Sequence, residues 1–242
     1  MTKGPRVSVV IPHYYTVRAP HLRRIAVDLR RQTHPPAEIL VWNNEAAETL
    51  PDLTGTGIRV IQADHNHGCQ ARIKAAQEAA GDFVLFMDND TTAEPGLVKA
   101  LLGWAAMQPG AIVTLEGRLA LPAPHPYKAW PKFRSTQVRH PQPVTMSLGR
   151  GELVPGPLIP RLVPHFPFGD PDLMDDLWWS ACAAWEGVPI MVVPSQRGLS
   201  SLINLPEHGT GACAAMDYSG RRDRAVAAIR AREGYPRIWA DA

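Results

Sequence analysis

Cysteine is scarce in this chain: Cys69, Cys182 and Cys213 stand far apart among 242 residues, and none forms a C-x-x-C pair. That spacing argues against a disulfide framework and against a thiolate zinc site, and it fits a reducing compartment. Excess charge is also missing. The 25 Lys and Arg against 23 Asp and Glu leave a net +2, too little for nucleic acid to be the main partner. No apolar run approaches the roughly 18 residues of a membrane-spanning helix. The short apolar stretch at residues 7–12 cannot serve as the core of a secretion signal. The sequence therefore reads as a cytoplasmic protein with no membrane anchor of its own. Internal repeats and low-complexity tracts are absent too. What is there is a globular composition, 45% hydrophobic and 20% charged, with length for one well-cored domain.

The first half alternates between two patterns. Residues 7–12, 38–42, 58–61, 83–87 and 111–115 are short apolar, β-branched runs of the kind that form buried strands. Between them lie helical patterns: Leu22, Ile25, Ala26 and Leu29 on one face, an alanine-rich stretch from Gly68 to Ala80, and a helix opened by Pro95 and reaching about Met107. Strands separated by helices predict an α/β fold with a parallel sheet covered on both faces. Ligands in such sheets bind beyond the carboxyl ends of the strands. That rule points to three segments, beginning at Pro12, Asn43 and Asp88. After Gly117 prolines crowd the chain, predicting long loops broken by a strand near residues 144–148. A helix over 175–185, a strand over 190–193 and a charged helix over 221–232 follow. The expected organisation is one domain over 1–242, with a first half to about residue 118 and a second half with a tail from about 119.

Chemistry concentrates at a few places. An apolar strand ends abruptly in Asp88-Asn89-Asp90, two carboxylates one residue apart. Hard divalent cations take oxygen ligands and leave positions open for phosphates, and such a cation neutralises a departing diphosphate. The plainer reading is a solvated turn with Asp90 capping the next helix. Asp175-Asp176 opens an apolar helix, where carboxylates also serve as ordinary caps. The functional alternative for Asp176 is a carboxylate facing a reacting sugar, as base or as charge stabiliser. Asn66-His67-Gly68 lies at a strand-to-helix turn, with Arg72 one turn on, a placement that suits a diphosphate. The His65-Asn66-His67 string invites a metal or nuclease reading, but an alternating pair on a loop lacks the further ligands and metal-finger context that a nuclease needs. His208, in a glycine-containing loop, is a candidate for reaching the metal. Arg221, Arg222 and Arg224 are commonly the solvated face of a helix. Trp178, Trp179 and Trp185 read as core, and Trp130 as the better sugar-stacking candidate.

Taken in order, these pieces resemble the nucleotide-sugar glycosyltransferases of the GT-A fold. The resemblance rests on residues 7–12, on Glu38-Ile39-Leu40-Val41, and on Gly81 to Asp90 with its D-x-D motif. Val41-Trp42-Asn43-Asn44, Pro95-Gly96-Leu97-Val98 and Asp175-Asp176-Leu177 are more narrowly similar to the exostosin-like transferases. It covers most of residues 6–118 and, loosely, 144–190. It implies a Mn²⁺ or Mg²⁺ cofactor, a nucleoside-diphosphate sugar donor of the UDP type, and a small-molecule or glycan acceptor. Asn43, Asn44, Asn66 and Arg72 match the region contacting the nucleotide, joined by Pro12 and Asn89 at the strand ends. Asp88 would bind ribose or metal, Asp90 would be the principal metal ligand, and Asp176 would stand near the anomeric carbon. The chain departs from the family pattern at Asn89, usually acidic, and at Asn43-Asn44, where an aspartate is usual. Two other functions compete. A nucleotidyltransferase usually carries a glycine-rich basic loop after the first strand, where this chain has Pro12-His13-Tyr14-Tyr15. A non-catalytic sugar- or nucleotide-binding module is the third reading.

Overall fold

The structure is a computed structural model that describes residues 4–14, 16–44, 50, 53–169, 173–206 and 218–232. The strands are β1 (Val7–His13), β2 (Glu38–Asn43), β3 (Ile58–Gln62), β4 (Phe83–Phe86), β5 (Thr91–Ala93), β6 (Ile112–Thr114) and β7 (Glu116–Arg118). After them come β8 (Lys132–Arg134), β9 (Gln142–Val144), β10 (Met146–Ser147), β11 (Glu152–Pro155), β12 (Ile190–Val192) and β13 (Leu202–Asn204). The helices are α1 (Ala19–Arg30), α2 (Ala71–Gln77), α3 (Leu97–Met107), α4 (Ile159–Leu162), α5 (Asp175–Trp185) and α6 (Tyr218–Ala231). Eight strands form one sheet in the order β3-β2-β1-β4-β11-β6-β12-β9. β10-β7-β8 and β13-β5 are small antiparallel sheets beside it.

The continuous apolar runs follow from burial on both faces of the large sheet. Successive residues of one strand enter different cores. Val10, Leu40, Val84 and Phe86 join one cluster, with Ile73 of α2, Leu162 of α4 and Trp179 of α5. Val9, Ile11, Ile39, Val41 and Leu85 join the other, with Leu22, Ile25 and Leu29 of α1 and Leu97 and Leu101 of α3. A third cluster packs α6 through Val226 and Ile229 against Leu177 and Ala181 of α5, and holds Tyr127, Trp130 and Met146.

The large sheet is mostly parallel, with two strands reversed: β11 runs antiparallel between β4 and β6, and β9 antiparallel to β12. Other expectations are corrected. β11 lies in the proline-rich stretch that reads as loop, and so does β8. Prolines 143 and 155 fall at strand positions in β9 and β11. The expected single strand at 144–148 is two strands in different sheets. Helix α2 is shorter than its alanine pattern, ending at Gln77. Trp130 is 1% exposed and packs on Tyr127 with ring centroids 5.5 Å apart, so its face is not open to a sugar.

Candidate active site

The topology gathers the chemical residues at one edge. β1, β2 and β4 run parallel, so His13, Asn43 and the Asp88 turn leave the sheet on the same side. β11 runs the other way, and its first residue, Glu152, pairs with Phe86 at that same side. Asp175 and Asp176 arrive there on the first turn of α5, whose far face is anchored in the core by Trp179 and Cys182.

Arg72 is the hub. Its Nη2 donates to Asp88 Oδ1 in a close contact, and its Nη1 lies 3.2 Å from Asp175 Oδ2. Its side chain is buried. Burial alone lowers a guanidinium pKa, but Asp175, Asp88, Glu152 and Asp176 outweigh it and raise this one. Room for Arg72 depends on Gly149. That residue has φ of +73°, and a Cβ there would run into Arg72 Nη1. Burial pushes the Asp175 carboxyl up to about 6, with Arg72 opposing and Asp176 adding to the rise. Burial also pushes Glu152 up to about 7, against the hydrogen bonds that Ser147 Oγ and Trp179 Nε1 (3.0 Å) donate to it.

The middle of the D-x-D turn faces inward. Asn89 Oδ1 accepts from Arg18 Nη1 at 3.2 Å, its Nδ2 lies 3.0 Å from His13 Nδ1, and its carbonyl lies 3.2 Å from His21 Nδ1. Arg18 Nη1 also lies 3.2 Å from Asp90 Oδ2. The start of α1 thus fixes the turn, and Asn89 is spent on that contact.

Asp176 is held from two directions. Oδ1 accepts from the Leu177 amide at 2.9 Å, and Oδ2 accepts from Arg222 Nη2 at 2.5 Å. Arg222 is buried and lies over the Tyr127 ring, 4.7 Å from its centroid. It is therefore not part of a solvated helix face, whereas Arg224 of the same helix is exposed.

The asparagines form a separate network. Asn43 Nδ2 donates to Gln62 Oε1 at 2.8 Å. Asn44 Nδ2 donates to Asn66 Oδ1 at 2.6 Å, and Asn44 Oδ1 accepts from the His67 amide at 2.7 Å. Asn66 Oδ1 also accepts from the Gly68 amide at 2.8 Å. These side chains brace the loop from β3 to α2, while Pro12 sits half-buried in β1. His208 lies outside the described residues.

Sequence reasoning did not find Arg18, Asp175 as a partner of Arg72, or Glu152 as a buried strand residue. The apolar stretch around Glu152, with Leu153 and Val154, was the available signal for β11.

The donor set can be tested against a hard cation. Asp88 and Asp90 offer carboxylate oxygens, the chemistry that Mg²⁺ and Mn²⁺ take, and each lies against an arginine, Arg72 or Arg18, as expected where positive charge is wanted. By the chemistry of this donor set, the residues fit such an ion.

The fold is that of the GT-A glycosyltransferases. The TarS 1–349 fragment of S. aureus, solved with UDP-GlcNAc, superposes with a TM-score of 0.65 at 15% identity, over 94% of this chain and 67% of that one. GalNAc-T7, solved with UDP, GalNAc and Mn²⁺, gives 0.60 at 15% identity, over 83% of this chain and 46% of that one. Residues 8–138, more than half of the chain, match glycosyl transferase family 2, and the chain belongs to that family. The glucosyl-dolichyl phosphate glucuronosyltransferase of Haloferax volcanii is 29% identical over 113 residues, 44% of this chain and 36% of the relative. "Putative glycosyltransferase EpsH" of Bacillus subtilis strain 168 is 26% identical over 115 residues, 45% of this chain and 33% of the relative. The chain thus spans about a third of the length of these curated relatives. No helix among the described residues is long and apolar enough to cross a membrane.

Proposed function

We propose that this chain transfers a sugar from a nucleoside diphosphate, of the UDP type, to an acceptor hydroxyl or amine. One observation carries the reading. In a family 2 chain, the D-x-D carboxylates and the Asp175-Asp176 pair converge on one strand edge, tied together through Arg72. Two solved structures of the same fold were obtained with UDP or a UDP-sugar, one of them with Mn²⁺.

Asp88 and Asp90 would hold Mn²⁺ or Mg²⁺. When bound, that ion neutralises charge on the diphosphate leaving group. Arg72 adds a cation on the same side and reaches the diphosphate by exchanging its contact with Asp88. The loop braced by Asn44 and Asn66 flanks the nucleotide. Asp176 takes the proton from the acceptor oxygen or nitrogen as that atom forms its bond to the anomeric carbon. The bond from that carbon to the phosphate oxygen breaks, and the nucleoside diphosphate leaves with the electron pair. A single displacement of this kind inverts the anomeric centre. Arg222 and the Leu177 amide keep the Asp176 carboxylate aimed, and placement of this kind governs rate.

A second reading gives the base role to Asp175, favoured by its carboxyl being pushed up to about 6, closer to working pH. Its engagement with Arg72 places it instead as the residue that aims that guanidinium.

Incubating the protein with UDP-sugars and Mn²⁺ tests the proposal through release of UDP and free sugar, measured with and without added acceptors. Release that requires the metal and is lost in Asp176→Asn is the expected result. Formation of sugar 1-phosphate, or no turnover of any nucleotide sugar, would contradict it.

A further inference from the structure

A second cluster of ligand groups lies outside the residues given to the reaction. Asp64, His65 and His67 follow β3, and a carboxylate oxygen of Asp64 and one ring nitrogen of each histidine lie within 4.8 Å of one another. Asp64 Oδ1 is 2.9 Å from His65 Nδ1 and 3.0 Å from His67 Nε2. The two imidazoles lie with centroids 4.0 Å apart and planes tilted by 54°. In a tetrahedral zinc site with bonds of about 2.0–2.1 Å, neighbouring ligand atoms stand about 3.3 Å apart. Both Asp64–imidazole distances are already near that spacing.

The arrangement is built rather than accidental in one respect. His67 is held at two points, its amide donating to Asn44 Oδ1 at 2.7 Å and its ring packing edge-on to Trp42 at 5.7 Å, and its side chain is only 11% exposed. Asn66, between the histidines, is fixed by Asn44 and by the Gly68 amide. Asp64 and His65 are open to solvent, with side chains 78% and 65% exposed, so an ion can enter and exchange.

We propose that Asp64, His65 and His67 form a binding site for a borderline divalent transition metal, Zn²⁺ above all, separate from the Asp88–Asp90 carboxylates. Two imidazoles and one carboxylate suit Zn²⁺, Ni²⁺ or Cu²⁺, whereas Mg²⁺ and Mn²⁺ prefer all-oxygen sets. Three protein ligands leave a fourth position for water or an external ligand, the pattern of an open site. Occupancy would tie the two ends of the 64–67 turn together, immediately before the helix that carries Arg72. The proposal stands whether or not the chain transfers sugars.

The test is a Zn²⁺ titration of the metal-stripped protein against a colorimetric zinc indicator, with Mg²⁺ in large excess. One equivalent of Zn²⁺ binding is expected, weakened at least tenfold in His65→Ala and in His67→Ala, and unchanged in Asp90→Asn. His65 is exposed, so that variant tests the site without disturbing the fold; circular dichroism checks both. Cobalt substitution provides a second readout: the visible bands of low-coordinate Co²⁺ appear in the wild type and disappear in His65→Ala. Zn²⁺ binding that survives in the His65→Ala, His67→Ala double variant, or that is lost in Asp90→Asn alone, would overturn the assignment. So would the absence of a stoichiometric site in the wild type.

Discussion

The Arg222 guanidinium donates to Asp176 Oδ2 at 2.5 Å across 46 residues of sequence, and both side chains are nearly buried, at 3% and 6% exposed. The last helix of the described chain therefore aims the carboxylate at the start of α5. Asparagine at 176 keeps the shape, but it has one acceptor oxygen for the two donors, Arg222 Nη2 and the Leu177 amide, and it takes no proton. Asp176→Asn should lose about 10²–10⁴-fold in turnover, the contribution typical of general base catalysis. Donor affinity should stay within a few-fold. Steady-state kinetics with calorimetric donor titration checks both, and a variant that transfers sugar normally would remove Asp176 from the chemical step.

Arg72 is expected to matter twice. Breaking a buried pair by removing one partner typically costs about 3–5 kcal/mol, and here Asp88 and Asp175 both lose their cation. Arg72→Met should therefore be destabilised by about that much at pH 8 in urea unfolding. The loss should shrink toward pH 5, because Asp175, already pushed up to about 6, then becomes neutral and no longer needs the guanidinium. Nucleoside diphosphate binding should weaken about ten- to hundredfold, the worth of one charge-assisted hydrogen bond. Equal stability of variant and wild type at pH 8 would show that the ion pairs contribute nothing.

How much of this was readable beforehand depended on distance along the chain. The strand ending at Phe86, the carboxylates that follow it and the bounds of α5 are local patterns, and residues 175–185 are helical as expected. The partners of those carboxylates are not local. Arg18 meets Asp90, Arg72 meets Asp175, and Arg222 meets Asp176 only after the sheet and helices have packed. β11 was hidden for a different reason. Residues 152–155 are few, flanked by glycine and ended by proline, so they carry the marks of a loop. Their place in the sheet comes from antiparallel pairing with β4 and β6. The Asn89 side chain, expected at the ligand, turned inward because Arg18 and His13 lie within reach of it.

Glu152 makes a pH-dependent prediction. Burial raises its carboxyl from an ordinary 4.5 to about 7. Between those values the native state keeps a proton that the unfolded chain has lost, so this residue makes stability fall as pH rises through the window. Glutamine mimics the protonated form: its carbonyl can accept from Trp179 Nε1, and its amide can donate to Ser147 Oγ. Relative to wild type, Glu152→Gln should gain stability on the order of 3 kcal/mol between pH 4.5 and pH 7.5. Urea unfolding of both proteins at several pH values measures the difference. A variant whose stability tracks the wild type at every pH would show that Glu152 is ionised throughout.

The most direct test of the account is nucleoside diphosphate binding to the wild type and to Asp90→Asn, followed by calorimetry with Mn²⁺ and again with chelator. Asp90 stands past a buried strand, two residues from Asp88, with Arg18 holding one side of it. Asparagine there is nearly isosteric and its Oδ1 can still accept from Arg18 Nη1, so the variant should fold, which circular dichroism checks. The account predicts that UDP binds the wild type with Mn²⁺, and that chelator or the Asp90→Asn change abolishes the metal-dependent part of that affinity. UDP binding of equal strength in chelator and in the variant, or no binding of any nucleoside diphosphate to the wild type, would contradict it.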